Sequence, residues 1–190
     1  MNTPSHSIIN LLLLGKGKPP FVQMAVIVGS ILPDAPMFLF YFVEKVINRT
    51  PESVIWGQNY FMESWQNFFD IFNSLPFIVV GFIFMWWRQS SVGMALFASM
   101  ALHVVGDLPL HHDDGHRHFF PFSNWRFESP VSYWDPRHYG GIVAPIELAI
   151  AFVGCVILFL SYESWIGKGA IAALGLSYAS FIIYALRAWA

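Results

Sequence analysis

Histidine and aspartate recur at helical spacing in one apolar stretch of the chain. His103, Asp107 and His111 follow one another at intervals of four residues. At about 100° per residue, side chains at this spacing share one face of a helix. Imidazole and carboxylate are ligands that suit zinc, iron or manganese. The pattern predicts a metal site, although Pro109 is expected to end the helix before His111. A buried His103–Asp107 hydrogen bond without metal is the alternative interpretation.

More potential ligands follow directly, where residues 111–118 read His-His-Asp-Asp-Gly-His-Arg-His. This run continues directly from the helix that carries the first ligands. We therefore expect it to supply ligands to a second metal ion or to support the ligands of the first. The predicted ligands here are His111, His112, His116 and His118. Asp114 is predicted to act as a catalytic carboxylate and Asp113 to support the ligands. A solvated, pH-responsive loop is the alternative.

Three arginines accompany this histidine cluster: Arg117, Arg126 and Arg137. Guanidinium groups bind phosphate or carboxylate through paired hydrogen bonds, so they are candidates for substrate binding. Internal ion pairs, for example with Glu128 or Asp135, are the alternative. The many aromatic residues between them are typical of a membrane–water interface.

The composition indicates a membrane protein. Of 190 residues, 56% are hydrophobic and 12% are charged, and the mean hydropathy is +0.52. Soluble domains carry about 25% charged residues. We expect an all-α, polytopic membrane bundle in a single domain, residues 1–190. The net charge of −2 and the lack of a basic cluster exclude a nucleic-acid partner, and the single cysteine excludes a disulfide framework.

About five apolar segments are predicted to build the bundle, since a spanning helix needs roughly 20 mainly apolar residues. They are Phe21–Val43, Ser74–Trp87 with a backward extension through Phe68–Phe72, Val92–Leu110, Ile142–Tyr162 and Ile166–Trp189. Residues 44–73 and 111–141 are predicted connections. A soluble helical protein is the alternative, but so many apolar segments leave it too few polar faces.

The chain is predicted to begin with a helical hairpin. Pro4–Leu14 forms the first limb, residues 15–20 the turn, and Phe21–Leu32 the second limb. Pro33 and Pro36 then break the backbone around Asp34. Because His6 begins one limb and Asp34 ends the other, the two side chains are expected at one level.

The order of short motifs resembles a known family. His6, Leu32-Pro33-Asp34, Asn73-Ser74, His103-x-x-x-Asp107 and a Pro121 ahead of Trp125-Arg126-Phe127 follow one another along the chain. This order is similar to bacterial inner-membrane metal-dependent hydrolases, the family that includes the protein described as LexA-binding. The resemblance covers about residues 5–127 and implies that His6, Asp34, His103 and Asp107 belong to the metal site.

The chain departs from that family in one motif, and it also lacks the family histidines upstream of that motif. Where the family has Arg-Gly-x-Thr-His-Ser, this chain has Asn73 instead of the histidine. We expect Asn73 to support the site and the downstream histidines to replace the missing ligand. A lost activity is the alternative.

Two function classes follow. The first is a hydrolase of an ester or phosphoester, with a lipid-like substrate expected at the membrane face. It would use a divalent transition metal, zinc favoured, as one or two ions, with Asp34 or Asp114 as the catalytic carboxylate. The second is a non-catalytic protein, either a metal-handling or transport component or a partner-binding scaffold. Glu147, a charged residue in the fourth segment, is expected to support the site.

The positive residues give an expected orientation in the bacterial inner membrane. An up-and-down path puts the motif residues on one side and Lys16, Lys18, Arg88 and Lys168 on the other. The positive-inside rule then makes the site periplasmic. Lys45, Arg49 and the three loop arginines on the site side argue for the opposite orientation.

Overall fold

The computed structural model describes residues 1–189, with side chains described for residues 1–180 and 183. Regular structure in this range consists of helices, without a strand. The first half comprises α1 (Thr3–Asn10, extended by a π-helical turn, Leu11–Gly15), α2 (Pro20–Ile31), α3 (Ala35–Phe42, extended by a π-helical turn, Val43–Ile47), α4 (Glu52–Gly57), a 3₁₀ turn (Asn59–Phe61) and α5 (Glu63–Asn73). The second half comprises α6 (Leu75–Trp87), α7 (Ser91–Asp107, followed by a 3₁₀ turn, Leu108–Leu110), a 3₁₀ turn (Pro136–His138), α8 (Gly140–Ser161) and α9 (Trp165–Trp189).

The predicted N-terminal hairpin is present. Helices α1 and α2 pack against each other, and the turn between them is closed by Gly17, whose φ of 71° suits a residue without a Cβ. Helix α1 also contacts α7, α8 and α9, so it lies inside the bundle. Its residues Ile8 and Leu11 are buried in a core with side chains of α2, α8 and α9.

Two breaks in the helices position the site. The chain bends by 54° between the axes of α2 and the α3 segment, around Pro33 and Asp34. Between α5 and α6 the backbone is extended at Ser74, whose hydroxyl donates to the carbonyl of Phe120 at 2.6 Å. Each break therefore frees backbone groups that the neighbouring protein satisfies.

The predicted connection at residues 44–73 is largely helical in the structure. Its short helices are held by an aromatic core that buries Phe40, Tyr60 and Phe69 together with Ile55. Sequence periodicity misses such short elements because tertiary burial, rather than length, stabilises them.

Several helices bury polar side chains and expose large apolar ones. Helix α1, in the interior, buries Ser5, His6, Ser7 and Asn10, whereas large apolar side chains of α6 and α8 are exposed. Among the described residues, three helical segments are long and apolar enough to cross a membrane: Glu63–Trp87, Ser91–Leu110 and Gly140–Ser161. The bent pair α2–α3 makes a fourth if it counts as one span. The all-helical prediction is confirmed, and the fold is compatible with a membrane protein.

Candidate metal centre

Helix α7 presents His103 and Asp107 on one face, as their spacing predicts. His103 Nε2 lies 3.0 Å from Asp107 Oδ2, and both residues are buried. Gly29 of α2 and Ser99 of α7 allow the two helices to approach closely, so that Ser30 reaches the histidine. The helix pair thus fixes the orientation of the imidazole from the side opposite the carboxylate.

His6 of α1 completes a compact group of three ligands. Its Nε2 hydrogen-bonds to Asp107 Oδ1 at 2.9 Å, and its ring stacks on His103 with centroids 3.6 Å apart. One ligand atom from each of His6, His103 and Asp107 lies within 4.8 Å of the other two. These three buried residues can hold a metal ion.

Asp34 approaches the same group from the break after α2. Its Oδ1 lies 3.4 Å from His103 Nε2, and its Oδ2 accepts a hydrogen bond from Thr3 Oγ1 at 2.5 Å. The Asp34 side chain is 17% exposed, whereas that of His103 is fully buried. Asp34 is therefore on the solvent-facing side of the group.

The surroundings of His103 favour a cation, either a proton or a metal ion, at its Nε2 atom. Its Nδ1 lies 2.7 Å from the Ser30 carbonyl, which only accepts, so Nδ1 is the donor. In the neutral ring Nε2 then carries a lone pair, and it faces carboxylate oxygens of Asp34 and Asp107. Among the described residues this buried nitrogen has no hydrogen-bond partner. A proton on Nε2, as in a buried His103–Asp107 ion pair, or a metal ion held by the nitrogen and the carboxylates would remove this repulsion.

His111 lies on the other side of the Asp107 carboxylate. Its Nε2 is 3.5 Å from Asp107 Oδ1, and its Nδ1 is 3.0 Å from Asp114 Oδ2. The amino-terminal ammonium of Met1 lies beside them, 2.5 Å from Asp107 Oδ1 and 3.3 Å from His111 Nε2. The ammonium group thus contacts Asp107 Oδ1, while Oδ2 faces His103.

Electrostatics at His111 reflects these neighbours. Burial and the nearby ammonium lower the pKa of His111, but Asp107 and Asp114 outweigh them and raise it to about 9. The Asp114 pKa falls below its usual range because, against the effect of burial, His111 stabilises the carboxylate. The indole of Trp134 also donates to Asp114 Oδ2 at 3.0 Å.

The structure places the other predicted histidines elsewhere. His112 stacks on His138 with centroids 3.6 Å apart and donates to the Ser129 carbonyl. His116 lies 3.4 Å from Asp70, with His118 next to it. Burial, together with nearby His116, lowers the pKa of His118 to about 4. These three histidines lie outside the group formed by His6, His103 and Asp107.

Each predicted substrate-binding arginine has partners within the protein. Arg117 pairs with buried Asp70 and donates to Asn67 and Asn124. Arg126 donates to the Gly115 carbonyl and to Gln66. Arg137 pairs with Asp135 at 2.9 Å. These contacts fix the path of the loop after α7.

The predicted supporting residues differ in their positions. Asn73 is buried and donates to the carbonyls of Pro33 and Phe69, both at 3.1 Å. It therefore holds the backbone immediately before Asp34. Asp113 is exposed to solvent. Glu147 is buried and contacts α1 rather than a ligand.

Sequence reasoning missed the Ser30 carbonyl and Asp70. A backbone carbonyl has no signature in residue type, so Ser30 could not be recognised. Asp70 had a signal, because it is an ionisable residue in a segment, Glu63–Trp87, apolar enough to cross a membrane. In the structure, Asp70 is the buried carboxylate that binds Arg117.

Comparison of the chain with family models, with curated proteins and with solved structures finds no match.

Proposed function

We propose that this protein is a metal-dependent hydrolase of the bacterial inner membrane that acts on an ester or phosphoester. The observation that carries the proposal is the buried His103 Nε2, which faces two carboxylates without a hydrogen-bond partner among the described residues. Neutral imidazole and carboxylate form a donor set suited to zinc. The motif order that resembles the inner-membrane hydrolases supports the same assignment.

Each side chain of the site would have a separate role. His6, His103 and Asp107 hold the ion, and Asp34, which is nearer to solvent, is placed to bind it or to accept a proton. When bound, the metal lowers the pKa of a coordinated water and polarises the scissile group. A second ion held by Asp107 would have to displace the Met1 ammonium from Oδ1, the oxygen that also faces His6 and His111. Asp114 would then orient His111 from behind.

A lipid-like substrate fits the position of the site. The ligands lie at the end of α7, next to a loop that exposes Phe122, Trp125 and Trp134. Aromatic side chains favour the membrane–water interface, where the ester and phosphate groups of lipids lie. The loop would thus keep the site at the depth of the headgroups.

A metal-handling or transport role is the second candidate. Polar contacts continue from the site into the bundle, where Ser7 hydrogen-bonds to Ser30 and Asn10 to Ser99. The next residue of the N-terminal limb, Leu11, is fully buried in an apolar core. An ion path would require polar groups through the full depth of the membrane. Because the apolar core that begins at Leu11 interrupts such a path, we favour hydrolysis over transport.

Metal content tests the proposal. Protein purified in detergent without chelators should contain near-stoichiometric zinc or another transition metal by elemental analysis. The isosteric change Asp107→Asn should remove most of this metal, because it replaces the carboxylate ligand that lies between His6 and His103 by a neutral amide. Glu52→Gln is the matched control, since Glu52 pairs with exposed Lys45 outside the site and its loss should leave the metal content unchanged.

Hydrolysis is measured on the same samples. Wild type should cleave a nitrophenyl phosphodiester or a fluorogenic phospholipid, and Asp107→Asn should not. A wild-type protein without metal would refute the metal centre. A metal-loaded protein inactive on ester, phosphomonoester, phosphodiester and phospholipid probes would favour the metal-handling role.

A further inference from the structure

Glu147 is a buried carboxyl group that the proposed reaction does not use. It lies in α8, within a segment apolar enough to cross a membrane, and is 4% exposed. Its carboxylate makes no salt bridge with a described residue. A carboxyl group in such surroundings is costly unless hydrogen bonds stabilise it.

The hydrogen bonds of Glu147 come from helix α1 and from α9. Oε1 accepts from the backbone N–H of Asn2 at 2.8 Å, from Asn2 Nδ2 at 3.1 Å and from Ser5 Oγ at 2.7 Å. It also accepts from Tyr178 Oη at 3.2 Å. All these donors converge on one oxygen, while the buried Oε2 has no partner among the described residues. The carboxyl group is thus aimed at the start of α1.

This contact fixes the helix that carries His6. Ser5 directly precedes His6, and the acidic group lies at the N-terminus of α1, where it also complements the helix dipole. On the other side, His6 must reach Asp107 of α7. Helix α1 therefore lies between two carboxylates: Asp107 binds the ligand histidine, and Glu147 holds the turn from which it projects.

We propose that Glu147 is the positioning residue of the metal centre, which anchors α1 to α8 and α9 so that His6 is held at metal-ligand distance from His103 and Asp107. This inference rests on the proposed metal-dependent function. It gives the C-terminal helix pair, which supplies no ligand among its described residues, a role in the affinity of the site.

The experiment compares zinc affinity, measured by competition with a chromogenic chelator, in detergent-solubilised full-length protein. Glu147→Ala removes the acceptor and should weaken zinc binding about 10–100-fold, as expected for a residue that orients a ligand. Glu147→Gln keeps an oxygen for the same donors and should stay within about threefold of wild type. Ser5→Ala removes one donor and should have an intermediate effect.

Two controls separate positioning from stability. Ile55→Ala creates a cavity in the aromatic core around Phe40, apart from the core that holds α1, and should lower the unfolding temperature without changing zinc affinity. In a His6→Ala background, where the positioned ligand is gone, adding Glu147→Ala should produce no further loss. The visible spectrum of the Co²⁺-loaded Glu147→Ala protein should shift from that of wild type towards that of His6→Ala, because His6 is no longer held at ligand distance.

The outcomes are distinguishable. Wild-type protein that binds no zinc or cobalt would refute the proposed function, and the inference with it. Zinc binding by wild type with unchanged affinity in Glu147→Ala would refute the inference alone. An equal loss in Glu147→Gln and Glu147→Ala, or an undiminished effect in the His6→Ala background, would also refute it. If Glu147→Ala does not fold, Glu147→Gln and Ser5→Ala still decide, because unchanged affinity in Ser5→Ala would contradict the anchoring of α1.

Discussion

A single amide illustrates how a residue can shape the site without touching a ligand. Asn73 donates from Nδ2 to the carbonyl of Pro33, the residue just before Asp34, and to the carbonyl of Phe69. It thereby ties the break after α2 to the end of α5. Asn73 therefore holds the backbone that presents Asp34.

Replacing Asn73 with alanine should affect both stability and metal binding. The buried Pro33 carbonyl would lose its side-chain donor, which costs about 1–3 kcal/mol. Because Asp34 would be less well oriented, zinc affinity should fall by about tenfold. Thermal unfolding and chelator competition measure the two effects. Asn48→Ala is the control, since Asn48 is exposed and its 3.3 Å contact with Glu44 lies away from the site. Equal zinc affinity in Asn73→Ala and wild type would show that the amide has no part in metal binding.

At the scale of elements, the approach of α2 to α7 determines whether His103 can be oriented. An added Cβ at Gly29 would lie 2.2 Å from the carbonyl oxygen of Leu96, a backbone atom that cannot move aside. Ser30, the next residue, supplies the carbonyl that accepts from His103. A wider helix pair would therefore lengthen that hydrogen bond.

Gly29→Ala should lower the free energy of unfolding by about 1–3 kcal/mol, because the helices must separate. It should also weaken zinc binding, since His103 loses its fixed orientation. Gly169→Ala in α9 is the matched control, because a Cβ there meets no atom within 4 Å among the described residues. Alanine is the better helix former, so this control should leave stability unchanged or raise it by up to about 1 kcal/mol. Unfolding monitored by tryptophan fluorescence compares the two; a Gly29→Ala protein as stable as wild type would contradict the close packing.

Local patterns predicted the helical part of the candidate site. The interval from His103 to Asp107 is one helical turn, and the proline break fixes the level of Asp34, so their proximity follows from backbone geometry. The hairpin prediction places His6 at the same level. These inferences need only the helix period and the effect of proline.

The loop after α7 could not be predicted in the same way. His112, His116 and His118 are close to His111 in sequence, yet their positions depend on partners distant along the chain. Asp70 binds Arg117 and lies next to His116, and thereby draws that part of the loop towards α5. Residue type alone could not distinguish such an anchor from a metal ligand.

For the whole molecule, the charges favour one orientation in the membrane. Lys16, Lys18 and Arg88 lie at connections on the side opposite the site. On the site side, Arg117, Arg126 and Arg137 are engaged by internal partners and Lys45 pairs with Glu52, whereas exposed Arg49 argues for the opposite orientation. Because the positive-inside rule counts lysine and arginine in short loops most heavily, we propose that the site faces the periplasm.

Cysteine labelling in intact cells tests this orientation. In a Cys155→Ala background, Asp113→Cys introduces a thiol in the exposed loop on the site side, and Glu163→Cys introduces one in the exposed connection between α8 and α9. A membrane-impermeant maleimide should label Asp113→Cys in intact cells and Glu163→Cys only after permeabilisation, because charged reagents do not cross the apolar layer. The reverse pattern would put the site in the cytoplasm, and labelling of both thiols in intact cells would contradict an odd number of crossings between them. Since α8 alone separates these positions, the pair also tests whether Gly140–Ser161 spans the membrane.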